Sequence, residues 1–185
     1  PRQKRCYAFK DSTKHFFVDD IEHPYSTEKG NNFEWIRGNQ LGGRSLLWHR
    51  QSYRWSDMDF SSNARDGYGT DWPVRYKDMK PWYDYVEEFV GVSGTLEGME
   101  QLPDGIFLPP IGFNCAEEEF GRRIGNTYND RRLIPGRCAH LTEPKPIHTD
   151  LGRGTCQSRN QCQRGCSLGA YFSTQSSTLP AAAKT

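Results

Sequence analysis

The sequence predicts an α+β fold made of short strands, two main helices and long loops. Two windows, residues 77–90 and about 116–128, carry apolar side chains at the three- and four-residue spacing of amphipathic helices. Elsewhere, short aromatic runs alternate with turn residues, which favours short strands. Leu, Ile, Val and Phe together make up only 33 of the 185 residues, so the core should contain few aliphatic side chains.

The N-terminal part is predicted to hold short strands and a glycine-rich loop. The strands are expected around Tyr7 and Phe9, at residues 16–18 and at residues 33–36. Turn chemistry at His23-Pro24 and at residues 29–32 separates them. The segment 37–45, RGNQLGGRS, follows the last strand and is called the glycine loop below. Residues 56–75 are crowded with Asp, Ser, Asn and Gly and are predicted to be loop.

The C-terminal part is predicted to contain both main helices. The first should begin near Lys80, with Pro81 as its first residue, and end at Val90 before Gly91. The second, about 116–128, places Phe120, Ile124 and Tyr128 on one face. Residues 129–155 are expected to be short strands and turns, residues 156–175 a polar cysteine-rich segment, and residues 176–183 the start of a further helix.

Charge and hydropathy exclude several classes of function. The net charge of +1 argues against a basic nucleic-acid-binding arm. No run approaches 18 apolar residues, and the first residues show no signal peptide, so no transmembrane segment is expected in this chain. The five histidines show neither metal-ligand spacing nor a Ser-His-Asp pattern, so no catalytic residue is predicted.

The glycine loop is a candidate anion site. Gly42 and Gly43 lack side chains that would block close approach to a phosphate, and Arg37 and Arg44 flank them. An ordinary surface turn explains two adjacent glycines equally simply, and on the pair alone it is the favoured interpretation. No GxGxxG occurs, so a complete dinucleotide-binding fold is not encoded here.

Three of the six cysteines, Cys156, Cys162 and Cys166, form a C-x5-C-x3-C pattern in a polar segment. Converging thiolates suit a metal or an iron–sulfur cluster. The alternatives are one disulfide plus a free thiol, or three reduced buried thiols. Spacing alone does not separate these alternatives.

Four segments, in this order, resemble the glucose–methanol–choline (GMC) oxidoreductases. The glycine loop continues into Trp48-His49-Arg50-Gln51-Ser52-Tyr53-Arg54 and Asp57-Met58-Asp59-Phe60, which is similar to the flavin-contacting segment of that family. The second similar segment is Asp71-Trp72-Pro73-Val74-Arg75-Tyr76 with Pro81-Trp82-Tyr83 and Glu87. The third and fourth are Cys166-Ser167-Leu168-Gly169-Ala170 and Ser177-Thr178-Leu179-Pro180-Ala181. The similarity is greatest to the large subunits of bacterial flavin-dependent gluconate, fructose and glucose dehydrogenases.

The resemblance implies cofactors and the residues that hold them. FAD would be held by Gly38, Asn39, Gly42, Gly43, Arg44, Ser45 and Trp48. Leu47 replaces the His through which some members attach flavin, so binding should be non-covalent, and Arg44 replaces a residue that is usually small. In some members three cysteines at this spacing hold a 3Fe-4S cluster, and the ligands here would be Cys156, Cys162 and Cys166.

The resemblance also implies that the chain is an internal fragment of a two-domain flavoprotein. Residues 1–55 would be the end of the FAD-binding domain, with the glycine loop, and residues 56–185 part of the substrate domain, with the cysteine cluster. The family's GxGxxG lies upstream of these segments and its catalytic His downstream, so this chain alone should be inactive.

The implied whole enzyme oxidises a hydroxyl of a sugar, sugar acid or polyol. It passes electrons to an external acceptor such as a cytochrome c or small-subunit partner, with the periplasm favoured over the cytoplasm. The alternative is a non-catalytic binding or scaffold module derived from the GMC fold. An upstream GxGxxG and a downstream His would favour the enzyme.

Overall fold

The computed structural model describes residues 2–31, 33–162 and 165–185. Pro1 of the basic N-terminus, Asn32 of the predicted turn, and Gln163 and Arg164 of the cysteine-rich segment lie outside the described residues. Loops dominate the described part, with six α-helices, three 3-10 helices outside the cysteine-rich segment, and isolated β-bridges. The α-helices are α1 Asp57–Phe60, α2 Ser62–Asp66, α3 Tyr76–Val90, α4 Cys115–Thr127, α5 Pro146–Thr149 and α6 Thr178–Ala182. The 3-10 helices are Arg2–Arg5, Lys14–Phe16 and Gly43–Leu46.

The predicted short strands are wrong: residues 2–31, 33–162 and 165–185 form isolated bridges but no strand ladder, so the β part of the α+β prediction is not found there. Phe16 lies in a 3-10 helix, and residues 33–36 form an extended loop without a ladder in the described chain. The segment 16–18 meets this loop through one backbone bond, from Val18 N to the Arg37 oxygen at 2.9 Å. Residues 129–155 likewise contribute only single bridges, such as Ser93 with Cys138. A single bridge leaves most backbone groups of each segment unpaired, so no sheet develops.

The two main helices are confirmed, but α3 starts earlier than predicted. It begins at Tyr76 and contains Pro81 in its second turn. Asp57 Oδ1 accepts from Tyr76 N at 2.8 Å, and Asp78 Oδ2 accepts from Arg75 N at 2.9 Å. These carboxylates satisfy N–H groups at the first turn and favour an earlier start.

The other main helix, α4, begins where Asn114 caps it. Asn114 Oδ1 accepts from the N–H groups of Ala116 and Glu117 at 3.0 and 3.1 Å. Its bounds agree with the prediction to one residue at each end. The predicted loop 56–75 contains α1 and α2, so that prediction holds only for the rest of the segment. No helix in the described ranges has the length and apolar character needed to cross a membrane.

Two small apolar cores support this fold. The N-terminal core contains Ala8, Phe17, Leu46 and Leu47. The central core contains Val90, Val92 and Ala139, with Trp48, Phe89, Phe107 and Phe172 packed around it. Aromatic rings supply much of the packing, as the composition predicts.

A buried ion-pair network holds Arg54 against α3. Its Nε and Nη2 donate to the two carboxylate oxygens of Glu87 at 2.8 and 2.5 Å, and Nη2 also donates to Asp84 at 2.5 Å. Glu87 further accepts from Ile106 N at 3.2 Å, and the Tyr76 hydroxyl accepts from Arg54 at 3.0 Å. Burial alone would lower the pKa of Arg54, but the bonds to Glu87, Asp84 and Tyr76 raise it above its usual range.

Gly105 lies directly over this ion pair. A Cβ atom there would overlap a carboxylate oxygen of Glu87 and the guanidinium of Arg54. The close approach of the backbone therefore requires glycine at this position. The ion pair joins the segment after the glycine loop, α3 and the 105–106 backbone.

His148 in α5 is fully buried and both of its ring nitrogens are bonded. Nδ1 accepts from Lys145 N at 2.9 Å, and Nε2 lies 2.7 Å from the Glu88 carbonyl oxygen. These partners select the neutral tautomer with its proton on Nε2. Burial lowers the pKa of His148 and outweighs the bond to Glu88, which raises it; the nearby charges of Arg153 and Lys145 lower it further.

Candidate functional site

The glycine loop ends in a short 3-10 helix, Gly43–Leu46, that begins with two left-handed residues. Gly42 has φ 90° and Gly43 has φ 52°, a region that other residues rarely adopt. A Cβ on Gly42 would lie 3.2 Å from Gln175 Cβ, whereas a Cβ on Gly43 would meet no atom within 4 Å. Gly43 therefore presents open backbone, which is what close approach by a ligand requires.

Hydrogen bonds attach the glycine loop to a segment about 130 residues further along the chain. Ser45 Oγ accepts from Thr174 N at 3.0 Å and lies 3.0 Å from Thr174 Oγ1. Thr174 Oγ1 in turn donates to the Gly42 carbonyl oxygen at 3.1 Å. The Ser45 hydroxyl is thus hydrogen-bonded to the protein's own backbone in this structure.

The other predicted flavin contacts have different surroundings. Gly38 is packed: a Cβ there would lie 3.1 Å from the Phe16 carbonyl oxygen. Asn39 is exposed, and Arg44, also exposed, donates to the Ile36 carbonyl oxygen at 2.6 Å. Their environments neither require nor prevent contact with a cofactor.

Trp48 lies beside the central core. Its Nε1 donates to the Phe172 carbonyl oxygen at 3.0 Å, and the two rings pack edge to face with centroids 6.2 Å apart. The structure therefore uses Trp48 to join the glycine loop to residues 170–174. Contact with a flavin stays a prediction.

The three clustered cysteines line one small cavity of about 40 Å³ within residues 156–170. All three are free thiols and partly buried, so the disulfide alternative is not seen in this structure. Among the described residues, no group of three His, Cys, Asp or Glu is placed to hold a single metal ion. The thiol donors suit an iron–sulfur cluster, which spans several metal atoms, but the structure does not show a preformed site for one ion.

Cys166 has the most polar surroundings of the three. Burial raises the pKa of its thiol, but backbone N–H groups of Ala170, Leu168 and Tyr171 and the Arg159 side chain donate to the sulfur and lower the pKa overall. Such donors favour the thiolate, the form that ligates metals.

A cleft of about 490 Å³ is lined by residues next to the glycine loop and by residues of the cysteine-rich segment. Leu46 and Phe16 line one side, and Cys166, Ser173 and Gln175 line the other. The seven predicted flavin contacts all lie in the described chain, and none of them lines this cleft. Of the predicted site residues, only Cys166 lines this cleft.

Sequence reasoning did not select Thr174, Arg50 or Tyr171, which connect the two candidate sites. Arg50 Nη2 donates to the Cys162 carbonyl oxygen at 3.0 Å, and its guanidinium lies 4.1 Å from the centre of the Tyr171 ring. A single Arg or Thr in a polar segment is usually a surface residue, so no local signal distinguished them.

The chain is similar in sequence to three named oxidoreductases. It is 30% identical over 148 residues to paromamine 6'-oxidase of Streptomyces fradiae, covering 78% of this chain and 25% of that protein. It is 26% identical over 136 residues to the fructose dehydrogenase large subunit of Gluconobacter japonicus, covering 71% and 24%. It is 28% identical over 93 residues to 2-methyl-1,2-propanediol dehydrogenase of Mycolicibacterium austroafricanum, covering 48% and 17%.

The chain spans about a quarter of the length of the first two of these relatives. No family model matches it. The names of the relatives agree with the oxidoreductase class to which the resemblance points. Their activities belong to proteins of which this chain matches about a quarter or less.

Proposed function

We propose that this chain is part of a flavin-dependent dehydrogenase that oxidises a hydroxyl group of a sugar, sugar acid or polyol. The observation that carries the proposal is the contact between the glycine loop and the cysteine-rich segment. Ser45, Trp48 and Arg50 each bond to residues 162–174, more than 110 positions away. Two segments that resemble cofactor-binding parts of GMC enzymes thereby become neighbours.

Different residues of the chain would bind the flavin and the iron–sulfur cluster. Gly43 offers unobstructed backbone for the flavin, and Thr174 fixes the turn by bonding to Gly42 and Ser45. Cys156, Cys162 and Cys166 supply three thiols from one cavity for a 3Fe-4S cluster. When bound, the flavin would accept a hydride from the substrate carbon, and the cluster would carry the electrons singly to an outside acceptor.

Charge favours an anionic group on the cysteine side. The donors around Cys166 stabilise its thiolate, and Arg50 brings a positive charge to the Cys162 backbone. The fructose dehydrogenase relative is named as a large subunit, which supports a second subunit as the electron-accepting partner. The substrate base would come from outside this chain.

The full-length gene product tests this proposal. It should be purified anaerobically, and released flavin, iron and sulfide should be measured per polypeptide. Sugars, sugar acids and polyols should then be screened for bleaching of the flavin spectrum and for reduction of an artificial dye. Substrate-dependent bleaching supports a dehydrogenase, whereas a flavin-free protein would favour the binding or scaffold module.

A further inference from the structure

Arg50 is a buried cation without a counter-ion. Its side chain is nearly inaccessible, with 4% of the residue surface exposed. In the described part of the chain no carboxylate forms an ion pair with it, unlike the buried Arg54 and Arg137. Its Nη2 donates to the carbonyl oxygens of Cys162 at 3.0 Å and Leu46 at 3.5 Å, and its Nε has no partner.

The backbone of Arg50 is strained as well. Its φ is 64°, in the left-handed region that long side chains rarely occupy. Strained residues persist where surrounding contacts hold them, and they concentrate at binding sites. The Cys162 carbonyl and the Tyr171 ring, 4.1 Å below the guanidinium, supply such contacts.

The ionisable side chains on which Arg50 acts include those of Tyr171, His140 and Cys138, and none of these is a carboxylate. Tyr171 packs its ring against the guanidinium and is itself buried, with 3% of its surface exposed. Burial, and then the charge of Arg50, lower the pKa of His140, so its imidazole stays neutral. A polar cleft of about 430 Å³ that Arg50 also lines contains Lys10 and has no acidic residue in its wall.

An uncompensated charge in such surroundings is unfavourable unless an anion lies close by. The cysteine cavity is the candidate position for that anion, because its wall contains Cys162, whose carbonyl oxygen accepts from Arg50. Arg50 is bonded to the backbone of one cysteine, Cys162, and Tyr171, on which it stacks, donates its N–H to the sulfur of another, Cys166. The guanidinium therefore contacts Cys162 directly and is linked to Cys166 through Tyr171.

We propose that Arg50 is the counter-charge of the cysteine site, a positioning residue that helps retain an anionic iron–sulfur cluster and raises its reduction potential. This inference rests on the proposed function. Each added electron makes the cluster more negative, and a fixed cation stabilises the reduced form more than the oxidised one.

The test compares Arg50→Gln, Arg50→Lys and Arg131→Gln in the full-length protein. Gln removes the charge, Lys keeps it, and Arg131→Gln makes the same charge change at an exposed position beside Tyr128. Iron and sulfide per polypeptide, resistance of the iron to a chelator, and the midpoint potential by electron paramagnetic resonance are measured for each protein.

We expect Arg50→Gln to lower the midpoint potential and to weaken iron retention roughly 10- to 100-fold, as other changes around metal ligands do. Arg50→Lys should restore most of both properties, and Arg131→Gln should match the wild type. If Arg50→Gln does not fold, Arg50→Lys alone tests the proposal. Loss of the cluster in Arg50→Lys would then show that the role of Arg50 is purely structural.

The outcomes separate this inference from the proposed function. Wild-type protein without iron would overturn the cluster and the role of Arg50 together. The wild type could contain iron while Arg50→Gln keeps the same midpoint potential and iron retention. That result would overturn the role of Arg50 but not the cluster. Failure of Arg50→Lys to rescue would show that Arg50 acts through packing rather than charge.

Discussion

Replacing Glu87 with Ala should destabilise the chain far more than replacing its neighbour Glu88. Glu87 is buried and accepts two bonds from Arg54 and one from Ile106 N. Glu88 makes one ion pair, with Lys145 at 3.0 Å, in which both side chains are 44% exposed. Both substitutions put Ala into α3, so their difference isolates the buried interaction.

The expected loss of unfolding free energy depends on the charge that each substitution leaves unpaired. Removing one partner of a buried ion pair costs about 3–5 kcal/mol, because the remaining charge stays desolvated. Arg54 would keep Asp84 and the Tyr76 hydroxyl, so the lower end, about 3 kcal/mol, is expected for Glu87→Ala. An exposed pair such as Glu88–Lys145 contributes about 0–1 kcal/mol.

Urea unfolding of the 185-residue chain, followed by tryptophan fluorescence at one salt concentration, measures both free energies. Equal slopes against urea would show that the same surface unfolds in each protein. Equal losses in Glu87→Ala and Glu88→Ala would refute the claim that the Arg54 network holds α3 in place.

Three further predictions concern packing, pH and activity. Gly105→Ala should destabilise by roughly 1–3 kcal/mol, since its methyl group enters the Glu87 ion pair, whereas Gly112→Ala meets open space and should cost little in the same urea assay. The free energy of unfolding should fall as the pH drops below about 6.5. The pKa of His148 is lower in the folded state than in the unfolded state, so protonation favours unfolding. His148→Asn should flatten that pH profile even if it lowers overall stability, and an unchanged slope would rule out His148 as its source. The isolated chain should show no sugar-dependent dye reduction, because it carries no residue predicted to act as the base.

Sequence reasoning succeeded where the signal was local. The spacing of Trp82, Tyr85, Val86 and Phe89 predicted α3, because helical periodicity is written within a few turns. The start of α3 was missed because its N-terminus is satisfied by Asp57, 19 residues earlier. The strand predictions are wrong because aromatic runs favour extended chain, whereas a sheet also needs a neighbouring strand, which a local pattern does not supply.

In the candidate site, too, local patterns could be predicted from the sequence and long-range contacts could not. The glycine loop and the cysteine spacing could be read from the sequence, together with the family that they resemble. The bonds from Ser45 to Thr174 and from Arg50 to Cys162 cross more than 110 residues, and no local pattern indicates them. The unpaired state of Arg50 depends on which carboxylates the fold brings near it, so only the structure reveals it.

Flavin content in Gly43→Val and Gly67→Val tests most directly the proposal that the glycine loop binds flavin. Both glycines have positive φ and open space where a Cβ would lie, so valine strains both positions in a similar way. Only Gly43 belongs to the glycine loop. In the full-length protein, we predict that Gly43→Val loses bound flavin while Gly67→Val and the wild type retain it. Full flavin content in a folded Gly43→Val protein would show that the loop is only a turn.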